Sequence, residues 1–164
     1  MKAFRNSALK KDLPGIGQLF TKELRECTEW CKQNDLYKRQ RKLAYQFLGK
    51  EDNSDKEDYP DYPRAAILAI EAFITYLMVK QDCRQEDIGN FKKRRDTKND
   101  FLDGKLGEVD KKSDFELLKD LRNAMAHSDD QAFDKKQVKA IMESENPQQL
   151  LKNKLKELMD KLLP

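Results

Sequence analysis

Residues 65–79 read AAILAIEAFITYLMV. Apolar side chains occupy nearly every helical face of this stretch, and the polar residues Glu71 and Thr75 are its main interruptions. A stretch this short, with a carboxylate in its middle, is typical of a buried core helix and not of a membrane span. Pro63 suits the first turn of a helix, because its missing N–H would have no intrahelical partner there. The pattern therefore predicts a central helix from about Pro63 to Gln81.

The rest of the chain predicts an all-α protein. Glycine is scarce, with 6 residues in 164, and proline falls mostly between periodic segments, which favours helices over strands. Apolar residues at three- and four-residue spacing predict further helices over Ile16–Cys31, Leu36–Gly49, Ser113–His127, Phe133–Met142 and Gln148–Leu163. Ser113-Asp114-Phe115-Glu116 matches a capping box, which predicts Ser113 as an N-cap. The expected fold class is an all-α helical bundle of about five to seven helices.

The length fits a single domain over residues 1–164. Residues 1–14 are expected to form a flexible N-terminal segment. Residues 50–62 are acidic and proline-punctuated and residues 84–112 are polar, so both are expected to be rich in loops. Within the second region the basic window 91–100, FKKRRDTKND, is compatible with a loop or with a solvated helix.

Charge and cysteine content exclude several classes of protein. Charged residues make up 38% of the chain, but the net charge is only +3, which is not the strongly basic balance of a dedicated DNA-binding domain. The three cysteines Cys27, Cys31 and Cys83 do not form a disulfide framework and favour a reducing, cytoplasmic setting. A zinc site would need more ligands than Cys27 and Cys31 provide, so no metal and no cofactor are expected.

The only histidine, His127, follows Arg122 by five positions in the stretch LRNAMAHSDD, residues 121–130. On a helix Asn123 and His127 share nearly one face, and Arg122 lies about 140° from His127. An imidazole moves protons near neutral pH, and a guanidinium binds phosphate oxygens. This set suits metal-free cleavage of RNA by its own 2′-hydroxyl. Alternatively, His127 simply caps the helix and interacts with its dipole.

The hexapeptide Arg122-Asn123-Ala124-Met125-Ala126-His127 resembles the signature of HEPN domains, an Arg followed four to six residues later by His. The resemblance implies a helical bundle that dimerises, so that two copies of the motif form a composite cleft. Many such domains are metal-independent endoribonucleases that act on single-stranded RNA. Carried over to this chain, Arg122 and His127 would be catalytic, and Asn123 would orient or support them.

A weaker resemblance concerns the core helix, YPRAAILAIEAFITYL, residues 62–77. It is similar to the corresponding helix in the HEPN parts of CRISPR-associated effector nucleases, where a CARF sensor domain binds a cyclic oligoadenylate. The alternative setting is a toxin paired with a nucleotidyltransferase antitoxin. Such toxins often carry Tyr two residues after the His, and Asp129 stands there in this chain. Both settings imply antiviral or toxin defence, with a CARF sensor or an antitoxin as partner.

Two further sets of residues are candidates for supporting roles. Glu71 lies among apolar neighbours, so it needs a partner or takes up a proton; we hypothesise that it pairs with Arg122, the alternative being that it reaches solvent. The basic residues 92–95 are candidates for guiding the RNA backbone, because phosphate neutralisation is largely independent of sequence. They are Lys92, Lys93, Arg94 and Arg95. The alternative is an ordinary solvated loop.

Two other classes of function stay open at this point. The first is a non-catalytic HEPN-like helical module that binds a nucleotide or a protein partner through the same surface. The second is a structural helical protein in which His127 is only a helix cap. Neither class involves a membrane.

Overall fold

The structure, a computed structural model, describes residues 36–49, 60–127 and 130–164, with the backbone only at 127, 130 and 131. All regular secondary structure in these ranges is helical. Helices α1 to α8 span Leu36–Phe47, Tyr62–Lys80, Gln85–Ile88, Phe91–Leu102, Lys112–His127, Asp130–Phe133, Lys136–Met142 and Pro147–Leu162. The predicted all-α bundle is confirmed. The helix predicted from Ile16 and the segment 1–14 lie outside the described residues, so the single domain over 1–164 stays a prediction.

Helix α2 is the centre of the bundle. Ten of its 19 residues are buried, and α1, α4, α5 and α8 all pack against it. Its N-cap is Asp61, whose side chain accepts a hydrogen bond from the backbone N–H of Arg64 at 2.9 Å. Pro63 lies in the first turn and Gln81 is the C-cap. The predicted helix from Pro63 to Gln81 is thus confirmed to within one residue at each end.

Three phenylalanines join α2 to two of the helices around it. Phe73 of α2, Phe101 of α4 and Phe115 of α5 are buried, and their ring centroids lie 5.1 to 5.4 Å apart. Two of the three pairs are edge-to-face, an arrangement that places the positive ring edge on the negative ring face. The cluster therefore fixes the positions of α4 and α5 on α2.

Helix α1 covers another side of α2 and closes the bundle against α8. It ends at Phe47, and Gly49 follows with φ +79°, the left-handed conformation that favours glycine after a helix. The guanidinium of Arg41 donates to the carbonyl of Pro164 at 2.8 Å, and the hydroxyl of Tyr45 donates to the carboxylate of Asp160. The predicted second helix and its end at Gly49 are confirmed.

Much of the region 84–112, which was expected to be loop-rich, is helical, and of the two alternatives for 91–100 the helix is confirmed. The chain forms α3 and then α4 over Phe91–Leu102. The side chain of Asn90 accepts from the N–H of Lys93 and so caps α4, while Thr97 and Phe101 are buried in the bundle. A short apolar anchor and a good N-cap thus hold a helix whose composition is mostly charged.

Helix α5 begins differently from its prediction. A 3₁₀ turn over Val109–Lys111 runs directly into Lys112, so Ser113 is inside the helix and is not its N-cap. The residue before this turn, Glu108, has φ +55°. Its carboxylate accepts from Lys80, from Tyr76 at 3.2 Å and from Lys111 at 2.8 Å. Tertiary contacts of Glu108 therefore replace the local capping box.

The C-terminal third also departs from the pattern in one place. The helix predicted over Phe133–Met142 is divided into α6 and α7, with a turn at Asp134 and Lys135. The last predicted helix is confirmed as α8, where Asn146 accepts from the N–H of Gln149 as the N-cap.

Among the described helices, α2 alone is long and apolar enough to cross a membrane. The buried share of the window concerned is 56%. The core helix of a soluble protein passes the same test, so this finding by itself places no part of the chain in a membrane.

The aromatic cluster yields a prediction about stability. Phe73→Ala removes a fully buried ring, and we expect the free energy of unfolding in urea to fall by about 3–5 kcal/mol. The matched control is Phe91→Ala, since the Phe91 side chain is 79% exposed and should change stability by less than about 0.5 kcal/mol. Equal losses in both variants would mean that the cluster does not organise the core.

The Glu108 contacts yield a prediction about pH. Hydrogen bonds from Lys111 and Lys80 lower the pKa of Glu108 from 4.5 to about 2, so its stabilising effect is complete above pH 4.5 and is lost as the pH falls towards 2. We expect Glu108→Gln to be less stable than the wild type by about 1–3 kcal/mol at neutral pH. Urea unfolding across this range should show the difference shrinking as the carboxylate is protonated. A difference independent of pH would contradict the ion-pair account.

Candidate functional site

The end of α5 carries the predicted motif at the border between the core and solvent. Leu121 and Ala124 are buried, Arg122 and Asn123 are half-buried, and Ala126 is exposed. His127 is the last residue of the helix, and its side chain lies outside the described residues. The apolar positions anchor this turn and a half of helix, so the polar positions between them face outward.

The backbone places the three motif residues around one side of α5. Taking the buried Leu121 as the inward direction, Arg122, Asn123 and His127 follow at about 100°, 200° and 240° around the axis. Arg122 and His127 thus border an outward sector, and Asn123 lies between them. A fixed positive charge and an amide therefore lie next to each other near the end of α5, and position 127 is the last of the helix.

Glu71 has a different partner from the one hypothesised. Its carboxylate pairs with Arg94 of α4, which also donates to the carbonyl of Glu71 at 3.0 Å. The side chain of Glu71 is 43% exposed, so the site is at the edge of the bundle and not deep in it. The predicted pairing with Arg122 is therefore replaced by a contact that joins α2 to α4.

Arg94 belongs to the scaffold and not to an RNA-binding surface. Its guanidinium is 15% exposed and donates further to the hydroxyl of Thr75 at 3.1 Å and to the carbonyl of Ile88 at 3.0 Å. These four hydrogen bonds engage both terminal nitrogens of its guanidinium. The prediction that Arg94 guides RNA is corrected for this reason.

The other members of the basic window remain at the surface. Lys92, Lys93 and Arg95 are exposed on α4. The ammonium of Lys93 lies 2.6 Å from a carboxylate oxygen of Asp87. The guanidinium of Arg95 lies 3.8 Å from a carboxylate oxygen of Asp96. Of the four candidate cations at positions 92–95, the structure thus places one inside the bundle and three at its surface.

One residue near the motif was missed by the sequence analysis. Asp120 is buried, and its carboxylate accepts from the ammonium of Lys135 at 2.7 Å. It precedes His127 by seven residues, so the two positions lie on the same edge of α5, two turns apart. A carboxylate between Leu118 and Leu121 was a signal for a buried ion pair, but nothing local indicated Lys135.

The Asp120–Lys135 pair determines how the chain returns after the motif. Lys135 is the N-cap of α7, and Ala132 of α6 is buried in the core. The chain on both sides of residues 128–129 is therefore attached to the bundle. This attachment restrains the end of α5, where the motif lies.

Potential metal ligands do not cluster in the described part of the chain. Across residues 36–49, 60–127 and 130–164, no group of three or more His, Cys, Asp and Glu side chains is arranged to hold a metal ion. Cys83 is half-buried. Cys27 and Cys31 lie outside the described residues.

Comparison with known proteins finds no family model that matches the chain, no curated protein and no solved structure similar to it. The resemblance to HEPN domains consequently rests on the residues of the motif and their setting in an all-α chain.

The ion pair beside the motif yields a prediction. Lys135→Met leaves the buried carboxylate of Asp120, 9% exposed, without its ammonium partner, and we expect the free energy of unfolding to fall by about 2–3 kcal/mol. Lys139→Met is the matched control, because its ammonium lies 3.9 Å from the exposed carboxylate of Glu143 and such pairs contribute at most about 1 kcal/mol. Urea unfolding of both variants measures the difference, and equal effects would exclude an anchoring role for Lys135.

Proposed function

We propose that this protein is a metal-independent endoribonuclease that cleaves single-stranded RNA. The observation that carries the proposal is the position of the motif. Arg122, Asn123 and His127 lie within the last turn and a half of α5, on a helix anchored by buried residues before and between them. Such anchoring supports catalysis, because a reacting group must be held in place.

The chemistry follows from the three side-chain types. In the proposed reaction the 2′-oxygen of a ribose bonds to the adjacent phosphorus, and the bond from phosphorus to the 5′-oxygen breaks. An imidazole takes the proton of the 2′-hydroxyl or supplies one to the leaving 5′-oxygen. The guanidinium of Arg122 neutralises the charge that develops on the phosphorane oxygens. Asn123 lies beside both and orients them.

The need for two protons to move supports a composite site in a homodimer. The base acts at the 2′-oxygen and the acid at the 5′-oxygen, on opposite sides of the phosphorus. One imidazole per chain serves one of these roles, so two copies of α5 related by a twofold axis would serve both. The same symmetry would place two guanidinium groups around the phosphate.

The family resemblance extends the proposal to a biological setting. A CRISPR-linked effector would couple the domain to a CARF sensor, and a toxin would couple it to an antitoxin. Asp129, where those toxins often carry Tyr, counts against the second. Either setting is a cytoplasmic defence function without a membrane.

Cleavage of a labelled single-stranded RNA in EDTA tests the proposal. We expect Arg122→Ala and His127→Ala each to lower the single-turnover rate by about 10²–10⁴-fold, with a 2′,3′-cyclic phosphate as the product of the wild type. Arg122→Lys should recover only part of the rate, since an ammonium lacks the forked donors. The matched control is Arg84→Ala, because the side chain of Arg84 is 81% exposed.

Each variant is first compared with the wild type by circular dichroism and sedimentation. The rate per chain should also fall on dilution below the dimer dissociation constant. Equal cleavage by all variants would indicate a contaminant or another site. Failure of the folded wild type to cleave any RNA tested would reject the nuclease and favour the non-catalytic module.

A further inference from the structure

Helix α4 has a solvent-facing stripe that the fold does not use. Phe91, Arg95 and Lys98 are spaced at i, i+4 and i+7, so they share one side of the helix, and Lys92 and Asn99 adjoin it. Phe91, Lys92, Arg95 and Asn99 are exposed, and Lys98 is half-buried. The buried Thr97 and Phe101 and the scaffold residue Arg94 lie on the neighbouring side of α4, about 60–120° around the axis from Phe91.

Phe91 is the feature of this stripe that folding does not explain. Its side chain is 79% exposed, the highest value among the large exposed apolar residues described. A phenyl ring gains free energy when it leaves water, and Phe101 on the same helix is buried in the aromatic cluster. The cap of α4 is supplied by the neighbouring Asn90, so Phe91 is not needed to begin the helix.

The cations of the stripe contribute little to the ion pairs that the described residues form within the bundle. Arg94 is used by Glu71, and Lys93 contacts Asp87 at 2.6 Å. Within the described part of the chain, the ion pair of Arg95 is an exposed one of 3.8 Å with Asp96, a distance and exposure at which an ion pair contributes little. The other acid of α4, Asp100, is held by Lys105 at 2.9 Å. The stripe is therefore an aromatic ring bordered by cations.

We propose that this stripe, Phe91 with Lys92, Arg95 and Lys98, binds single-stranded RNA by stacking one unpaired base on Phe91 and pairing the adjacent phosphates with the cations. An aromatic ring accepts any base, and cations contact phosphates without reading sequence. The positive charge of the stripe complements a polyanion. An unpaired base would cover the exposed ring of Phe91. That the ligand is RNA rests on the proposed function. The residues of the stripe are different from those of the motif on α5.

Fluorescence anisotropy of a fluorescein-labelled uridine oligonucleotide tests this inference. The full chain is used in EDTA, in the His127→Ala background, so that cleavage does not intervene. We expect Phe91→Ala to weaken binding about 5- to 100-fold and Phe91→Trp to retain it. Lys92→Ala and Arg95→Ala should each reduce the slope of log K against log salt by about 0.7. The matched controls are Val109→Ala and Lys139→Ala, an exposed apolar residue and an exposed lysine on other elements.

The outcomes separate this inference from the proposed nuclease. Selective loss of binding in the α4 variants supports the RNA surface, even when the wild type shows no cleavage. Unchanged binding in Phe91→Ala, Lys92→Ala and Arg95→Ala overturns it, even when Arg122→Ala and His127→Ala abolish cleavage. Failure of both the wild type and His127→Ala to bind the oligonucleotide also overturns it, and would leave the stripe to a protein partner.

Discussion

The bundle depends on one constraint, the burial of α2. Ten of its 19 residues are buried, and all of them except Thr75 are apolar. They are distributed around the axis and not along one stripe. A helix of this kind is stable only when other helices cover it from several sides. Helices α1, α4, α5 and α8 do so, and their positions follow from the surface that α2 offers.

The surface of α2 changes character along its length, and this directs each neighbour. Near its N-terminus the buried residues are alanines at 65, 66 and 69, which allow the backbone of another helix to approach closely. In the middle, Phe73 forms the aromatic cluster with α4 and α5. Towards the C-terminus, Tyr76 and Lys80 bind Glu108 just before α5. Small, aromatic and polar contacts thus follow one another along a single helix.

Polar contacts fix the edges of this packing. Arg94 and Glu71 join α4 to α2, Glu108 holds the start of α5, and Asp120 with Lys135 holds the chain beyond its end. Both ends of α5 are therefore tied to other elements. The proposed catalytic motif lies on a helix that the fold holds at both ends, which is the rigidity that a reacting group requires.

Much of the fold was predictable because its signals are local. The extent of α2, the end of α1 before Gly49 and the Asn146-Pro147 start of α8 follow from apolar spacing and capping residues within a few positions. The half-buried positions of Arg122 and Asn123 agree with their place between the apolar Leu121 and Ala124 on α5. From the sequence, α4 was only one of two alternatives because a helix with few apolar residues gives a weak periodic signal, and packing of Thr97 and Phe101 supplies what propensity does not.

The pairing of charges was decided by the tertiary structure. From the sequence, Glu71 was expected to pair with Arg122 or to reach solvent. The crossing of α4 over α2 places Arg94 beside it instead. In the same way Asp120 required a partner, and only the turn after α6 brings Lys135 to it. The sequence by itself determined where the strongly periodic helices α1, α2 and α8 form, because apolar spacing and capping residues depend on near neighbours in the chain. The tertiary structure decided which polar groups meet, because an ion pair depends on distances between residues far apart in sequence.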